Sequence, residues 1–208
     1  MRRGGKQLTA ASMPLKFCIF MYMKILLLDA SLCGVTTLGR ALSRKLKLPF
    51  IETRDYEWDR ATTYSPGDKR APDERDALLR KDLGKYDSWI LGGNIIKWED
   101  GLFPYFDLIV YLWLPFDVGL EQMKKSRGPL EAGIFSLFDS GLKERRLALV
   151  NELSEISRRR GSALKMAEAH DKWLSKYTCP IIEFREDETT EGSRLESVLT
   201  YIKTSREG

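Results

Sequence analysis

Between the apolar run Lys24-Ile-Leu-Leu-Leu and a helix-forming stretch lies Asp29-Ala-Ser-Leu-Cys-Gly-Val-Thr-Thr-Leu-Gly-Arg-Ala-Leu. A strand, a turn of this kind and a helix opening near a glycine and two hydroxyls form an arrangement that can gather phosphate. Backbone N–H groups at a helix N-terminus attract an anion without any side chain. A threonine hydroxyl there can ligate a divalent cation. Against the phosphate-loop pattern G-x-x-x-x-G-K-[ST], Gly34 and Thr36 are in register, Asp29 takes the place of the first glycine, and Val35 stands at the lysine position. The ammonium that meets the β- and γ-phosphates is therefore absent. In a transferring site such a loss costs several kcal/mol of transition-state stabilisation. Ala30, Ser31, Leu32, Cys33, Gly34, Val35, Thr36 and Thr37 are the candidate cradle for the phosphates of ATP, with Thr36 the candidate ligand to Mg²⁺. The alternative is an ordinary strand-to-helix turn capped by Thr36 or Thr37.

Other residues of chemical interest fall on predicted loops and helix starts. Arg70 and Arg75 lie at the opening of a second helix, and arginine forks suit phosphate or carboxylate groups bidentately. A solvated helical face explains them nearly as well. Gly93, in Gly92-Gly93-Asn94, would let a substrate approach the backbone, or would simply make a tight turn. Trp58 and Trp98 could stack on a base, although aromatics more often serve the core. Arg127 closes a helix after the fourth strand, where a cation can meet transferring charge. Lys97 is a possible replacement cation for the loop. His170, the sole histidine, is expected on a helix surface.

These groups need elements to hold them. The apolar run Lys24 to Leu28 reads as a buried parallel strand. Thr36 to Leu48 has helical spacing, basic residues at its end and Pro49 as its stop. Phe50 to Thr53 reads as a strand, Pro72 to Gly84 as a helix, and Ser88 to Leu91 and Asp107 to Leu114 as two more strands. Helices follow over Phe116 to Arg127 and Lys143 to Arg159, the latter continued by Ser162 to Tyr177. Pro180 to Phe184 is a fifth strand and Ser193 to Lys203 a last helix. Strands alternating with helices imply an α/β fold: a five-stranded parallel sheet, doubly wound, with helices on both faces in three layers. In such sheets ligands bind beyond the carboxyl ends of the strands, so the loops after Leu28, Thr53, Leu91 and Leu114 are where chemistry should collect.

Composition narrows the function classes. The 208 residues are 43% hydrophobic and 31% charged, enough for a real core and against a disordered chain. The net charge of +4 comes from the leader, since Arg2, Arg3, Lys6, Lys16 and Lys24 all precede the first acid, Asp29. The remainder is about neutral, so no nucleic-acid partner is expected. Cys18, Cys33 and Cys179 are odd in number and far apart, which disfavours a zinc site or disulfide framework and fits a reducing, cytoplasmic setting. Residues 1–22 are expected to be a disordered leader or an upstream start; as an Arg-bearing, acid-free stretch they would alternatively serve as a mitochondrial transit peptide. Phe17 to Leu28, interrupted by Lys24, is too short to span a bilayer, and no membrane partner is expected.

The sequence resembles the adenylate-kinase-like P-loop proteins of bacteria, a group described as AAA-family ATPases or adenylate kinases and related kinases. Gly34-Val-Thr-Thr-Leu-Gly-Arg-Ala-Leu is similar to the family loop in which threonine often replaces lysine. Leu48-Pro-Phe-Ile-Glu-Thr-Arg-Asp-Tyr-Glu-Trp, Lys69-Arg70, Glu74-Arg75, Asp87-Ser-Trp-Ile-Leu-Gly-Gly-Asn with Trp98, Phe106 to Pro115, His170-Asp-Lys-Trp-Leu and Cys179-Pro-Ile-Ile carry the rest of the likeness. Asp29 and Leu32 depart from it where the family has glycine. The resemblance implies a P-loop nucleoside- or nucleotide-kinase-like domain over residues 23–208, with a lid at about 128–142. It implies transfer of the γ-phosphoryl of ATP to a small-molecule or nucleotide acceptor. Asp55 would bind the acceptor or orient the metal, Arg127 would act on transferring charge, and Arg70, Arg75, Gly93 and Trp98 would bind the acceptor. The alternative is a degenerate nucleotide-binding or regulatory module without phosphotransfer.

Overall fold

The computed structural model describes residues 22–29, 33–57, 69–96, 98, 102–103, 105–114, 162–185 and 191–205, with side chains from 167 and from 192 in the last two segments. Its strands are β1 (Lys24–Asp29), β2 (Phe50–Glu52), β3 (Trp89–Gly92), β4 (Leu108–Leu112) and β5 (Ile181–Phe184). Its helices are α1 (Val35–Leu46), α2 (Pro72–Leu83), α3 (Ser162–Leu174) and α4 (Glu191–Thr204), with one further helical turn at Arg54–Glu57. The five strands pair in the order β2-β3-β1-β4-β5, every pair parallel.

β1 lies at the centre, and its unbroken apolar run is what a strand covered on both faces requires. Side chains alternate across it. Ile25 and Leu27 join α1 and α4 in one core cluster with Leu38, Leu42, Val198 and Ile202. Leu26 and Leu28 join α2 and α3 in the other, with Leu79, Leu83, Trp173 and Leu174. The winding follows from the strand order. The connection from β1 to β2 runs one way along the sheet and carries α1 on the first face. The later connections run back the other way, and the apolar residues of α2, of 95–106 and of α3 that are described in the core lie on the second face, while Leu114, just past β4, joins the first. Connections of a single hand must divide between the faces in this manner.

Local signals account for the helix ends. α1 has Arg44 and Lys45 in its last turn and stops at Lys47, whose φ of 60° is left-handed. α2 opens with Pro72, Asp73 and Glu74 and stops at Gly84. Among the described residues no side chain caps α1: the N-cap is Gly34, one residue before the helix, and neither Thr36 nor Thr37 plays that part. β1 extends one residue beyond its expected end to Asp29, and β2 yields after Glu52 to the helical turn. The expected helices over Phe116 to Arg127 and Lys143 to Arg159, the lid at 128–142 and residues 1–21 lie outside the described residues. Among the described residues no helix is long and apolar enough to cross a membrane.

Candidate active site at the carboxyl edge of the sheet

The strand ends meet in register. Leu27 of β1 and Glu52 of β2 both stand opposite Gly92 of β3, and Asp29 stands opposite Leu112 of β4. Backbone bonds then carry the pairing past the strands: Gly93 N–H donates to Leu27 O (3.0 Å) and Thr53 N–H to Gly92 O (2.9 Å). The carboxyl ends of β1, β2 and β3 are thereby fixed side by side. This edge is also where the chain reverses its direction along the sheet, the place such folds reserve for ligands.

The turn after β1 is set by Gly34. Its φ of 86° and ψ of 20° are left-handed, a conformation glycine adopts without steric cost, and its carbonyl accepts the first helical bond from Leu38 N–H (3.0 Å). A left-handed residue followed by a right-handed turn leaves a run of amides of the type that lines anion concavities. Cys33, just before it, is buried, whereas Thr36 and Thr37 in the first turn are partly exposed. Val35 exposes only 5% of its surface and belongs to the first core cluster. Ala30, Ser31, Leu32 and Lys97 lie outside the described residues.

Beyond β2, the acceptor side takes shape. Asp55 sits in the turn Arg54–Glu57, partly buried. The structure brings Arg70 to it: Arg70 Nη1 donates to the carbonyls of Asp55 (3.1 Å) and Tyr56 (2.9 Å), and its backbone N–H donates to Glu57 O (2.9 Å). Arg75, on the first turn of α2, stacks on the Trp98 ring with 3.9 Å between guanidinium carbon and ring centroid, and its Nε bonds Asp76 Oδ1 at 2.6 Å. Trp98 is buried in the second core cluster, so one face of the expected stacking platform meets Arg75. Gly93 has a φ of 130°, and a β-carbon there would overlap the buried Thr53 hydroxyl. Only glycine suits that turn. Arg127 and Trp58 lie outside the described residues.

Two features escaped the sequence. His170 is not on the surface but fully buried. Its Nδ1 lies 3.1 Å from Tyr111 Oη and its Nε2 lies 3.1 Å from Asn94 Nδ2. Burial lowers its pKa to about 4, with Asp171 opposing and Arg185 adding to that shift. The spacing Met166, Ala167, His170, Trp173, Leu174 was the signal, because it places the histidine on the apolar stripe of α3. The second is Arg194, buried on α4, whose Nη1 donates to Cys33 O at 3.0 Å. It shares the i, i+4, i+8 stripe with Val198 and Ile202, which a charged residue at a helix surface would avoid.

The Bacillus subtilis (strain 168) protein YqaC, described as an uncharacterized protein, is 32% identical over 186 residues, which span 89% of this chain and all of YqaC. The chain belongs to the YqaC family. No protein-family model matches it. Among solved structures, the Acinetobacter baumannii shikimate kinase in complex with shikimate superposes with a TM-score of 0.52 at 15% identity, covering 91% of this chain and 97% of that one. The Bacillus subtilis YorR protein in complex with phosphorylated GDP gives 0.51 at 11% identity over 89% and 99% of the two chains. A gluconokinase from Sinorhizobium meliloti gives 0.50 at 15% identity over 90% and 95%. This member of the YqaC family therefore has a P-loop kinase-like fold.

Proposed function

We propose that the turn between β1 and α1 binds the polyphosphate of ATP together with Mg²⁺, and that the protein transfers the γ-phosphoryl group to a small-molecule or nucleotide acceptor. The observation that carries this reading is the left-handed Gly34 after the central strand, opening α1 with no side-chain cap among the described residues. In a P-loop kinase-like fold that is the anion position. The neighbours of known fold that bear kinase names agree with it.

In this mechanism the amides from Gly34 onward hold the phosphates and Thr36 lends its hydroxyl to Mg²⁺. The metal, when bound, would neutralise charge on the β- and γ-oxygens. Asp55 orients the acceptor or the metal. Arg70, Arg75, Gly93 and Trp98 frame the acceptor, and Arg127 steadies the charge in transfer. Residues 23–208 act as one domain in a cytoplasmic setting, with residues 1–22 ahead of it and a lid region at about 128–142. Calorimetry with ATP, ADP and AMP, with and without Mg²⁺, tests the binding step. A coupled assay with nucleotides and small hydroxyl acceptors tests transfer, and background turnover for all of them would refute it.

One observation favours a second reading, a nucleotide-binding module without transfer. The lysine position is occupied by Val35, which is folded into the core. The double substitution Asp29→Gly with Val35→Lys separates the two. A large gain in ATP affinity from an undetectable baseline supports the module, and harm to a working wild type supports the enzyme.

A further inference from the structure

We infer that His170 is a positioning residue for the acceptor side: its neutral ring holds Asn94, and through Asn94 the turn that presents Trp98 to Arg75, and a proton on the ring lets that turn go. The acceptor side is the one assigned above, so the inference rests on that reading and adds the element that aligns it. Asn94 follows Gly93 at the carboxyl end of β3. Its Oδ1 accepts Ile96 N–H at 3.1 Å, a turn in which a side chain does the work of backbone. Trp98 N–H then donates to Ile95 O at 2.9 Å, and the Arg75 guanidinium lies over the buried Trp98 ring at 3.9 Å. What orients the Asn94 amide is His170, whose Nε2 lies 3.1 Å from Asn94 Nδ2. The ring is tied in turn to the sheet. Its Nδ1 lies 3.1 Å from Tyr111 Oη, and the two rings meet edge-on with 5.4 Å between centroids. One side chain of α3 thereby links β4 to the turn after β3, and that turn to α2.

Stability alone does not ask for this pair. Two apolar side chains of the same shape would fill the space about as well, since a bond made inside the protein replaces bonds lost to water. What Asn94 and His170 add is direction. The terminal torsion of an asparagine is broad, and a partner on Nδ2 selects the orientation in which Oδ1 meets Ile96 N–H. The pair is also sensitive to one proton. Asn94 Nδ2 can only donate, so a protonated Nε2 would set donor against donor. The charged and titratable groups around the ring do not relieve this. Tyr111 of β4 is engaged at Nδ1, Asp171 of α3 and Glu183 of β5 are exposed and paired with Arg185, and Arg185 stands over the Tyr111 ring at 4.9 Å. Burial, the largest influence, disfavours the charged ring; Asp171 opposes it and Arg185 adds to it. Protonation therefore breaks the bond at Nε2, frees the Asn94 amide to rotate and takes the acceptor away from Ile96 N–H.

The test needs no ligand. His170 is the sole histidine, so its ring signals are unambiguous in NMR spectra of the full chain. Wild type, His170→Leu and His170→Gln are compared at neutral pH by amide hydrogen exchange, with the Trp98 indole signal as a second reporter. Asn94→Ala, which removes the Ile96 acceptor outright, marks the limit of a turn fully released. His170→Leu should speed exchange at Ile96 about tenfold, the scale of one lost hydrogen bond, beyond any change at Trp89 and Ile90 in β3. It should also shift the Trp98 indole signal. His170→Gln, whose side-chain carbonyl can accept from Asn94, should do neither. On acidification the wild-type Trp98 signal should move in step with the His170 ring, towards a midpoint of about 4, and the step should be absent from His170→Gln. If acid unfolds the wild type first, the comparison at neutral pH decides; if His170→Leu does not fold, the acid step decides. Ile96 exchange that follows Trp89 and Ile90 in His170→Leu, a glutamine variant no better than leucine, or a Trp98 signal deaf to the ring overturns this inference alone. Where the coupled assay finds an acceptor, His170→Leu should raise its KM about tenfold and leave that of ATP unchanged; equal rises overturn the inference as well. Background turnover for every acceptor overturns the transfer reading, and the exchange comparison still upholds or overturns the hold of His170 on the turn.

Discussion

Acid should loosen this protein through His170, and the amount can be worked out from its partners. Asn94 Oδ1 accepts a bond from Ile96 N–H at 3.1 Å, so its amide nitrogen is the atom turned to the ring. That nitrogen can only donate, so His170 Nε2 must accept and carries no proton. The remaining proton sits on Nδ1 and is donated to Tyr111 Oη. A second proton on Nε2 would face a donor inside the core. The pKa falls accordingly from 6.5 to about 4, with burial the main cause. The unfolded chain thus binds a proton that the folded chain refuses. Stability from this group is complete above the unfolded value of 6.5 and is lost as the pH falls towards the folded value of about 4. At 1.36 kcal/mol per pH unit the loss is about 3 kcal/mol. Urea unfolding of wild type and His170→Gln, followed by tryptophan fluorescence in steps from about pH 7.5 to about pH 4, isolates the term, because carboxylates elsewhere cancel in the difference. The gap between the two proteins should shift by about 3 kcal/mol against wild type on acidification. A flat difference curve would refute the buried neutral imidazole and the tautomer deduced from Asn94.

Three further outcomes test other parts of the structure. Gly93→Ala should destabilise by about 2–4 kcal/mol through its φ of 130° and its overlap with Thr53, and Thr53→Ala in the same chain should recover part of that in a urea titration. Arg70→Met, which strips two carbonyls of the turn after β2 of their donor, should cost about 1–3 kcal/mol and raise protease sensitivity near Asp55. Asp171→Asn should change stability by less than about 1 kcal/mol at neutral pH despite a 2.5 Å ion pair with Arg185, because both side chains are exposed; a larger loss would mean that the pair is part of the buried network around Tyr111.

How much of this was legible in sequence divides by range. The three strands with unbroken apolar runs, β1, β3 and β4, declare themselves because burial on both faces demands them, whereas β5 at the sheet edge is mostly half-buried and shows itself by the short apolar run after Pro180. α1 and α2 carry their own punctuation in Pro49, Pro72 and Gly84. Gly34 was legible as a glycine in register with the loop pattern, and its left-handed φ is added by the structure. His170 was read as a helix-surface residue and Arg194 was not read at all, since each looks like a polar residue among polar neighbours. Their partners lie 59, 76 and 161 residues away, and only the folded sheet brings them together. The partners of Arg70 and Arg75 were not legible either, since the sequence offered only a ligand or a solvated face for them. Each now has a protein partner, Arg70 the turn around Asp55 and Arg75 the Trp98 ring, so any acceptor would meet them in fixed positions.

The replacement of lysine by valine has a structural reason that does not depend on catalysis. Gly92 is the point where β1, β2 and β3 come level, and a β-carbon there would stand 2.7 Å from the Phe50 ring and 2.8 Å from Val35 Cγ1. Val35 therefore fills the hollow left by Gly92 and wedges the first turn of α1 against the sheet. A β-branched side chain is stiff at χ1 and keeps that wedge in one rotamer. The amides of the turn are then held in place by packing before any anion arrives, so little ordering entropy remains to be lost on binding. The same packing excludes a charge from position 35 unless its stem can turn outward. On its other side the turn is held by α4, whose buried Arg194 donates to Cys33 O just before Gly34.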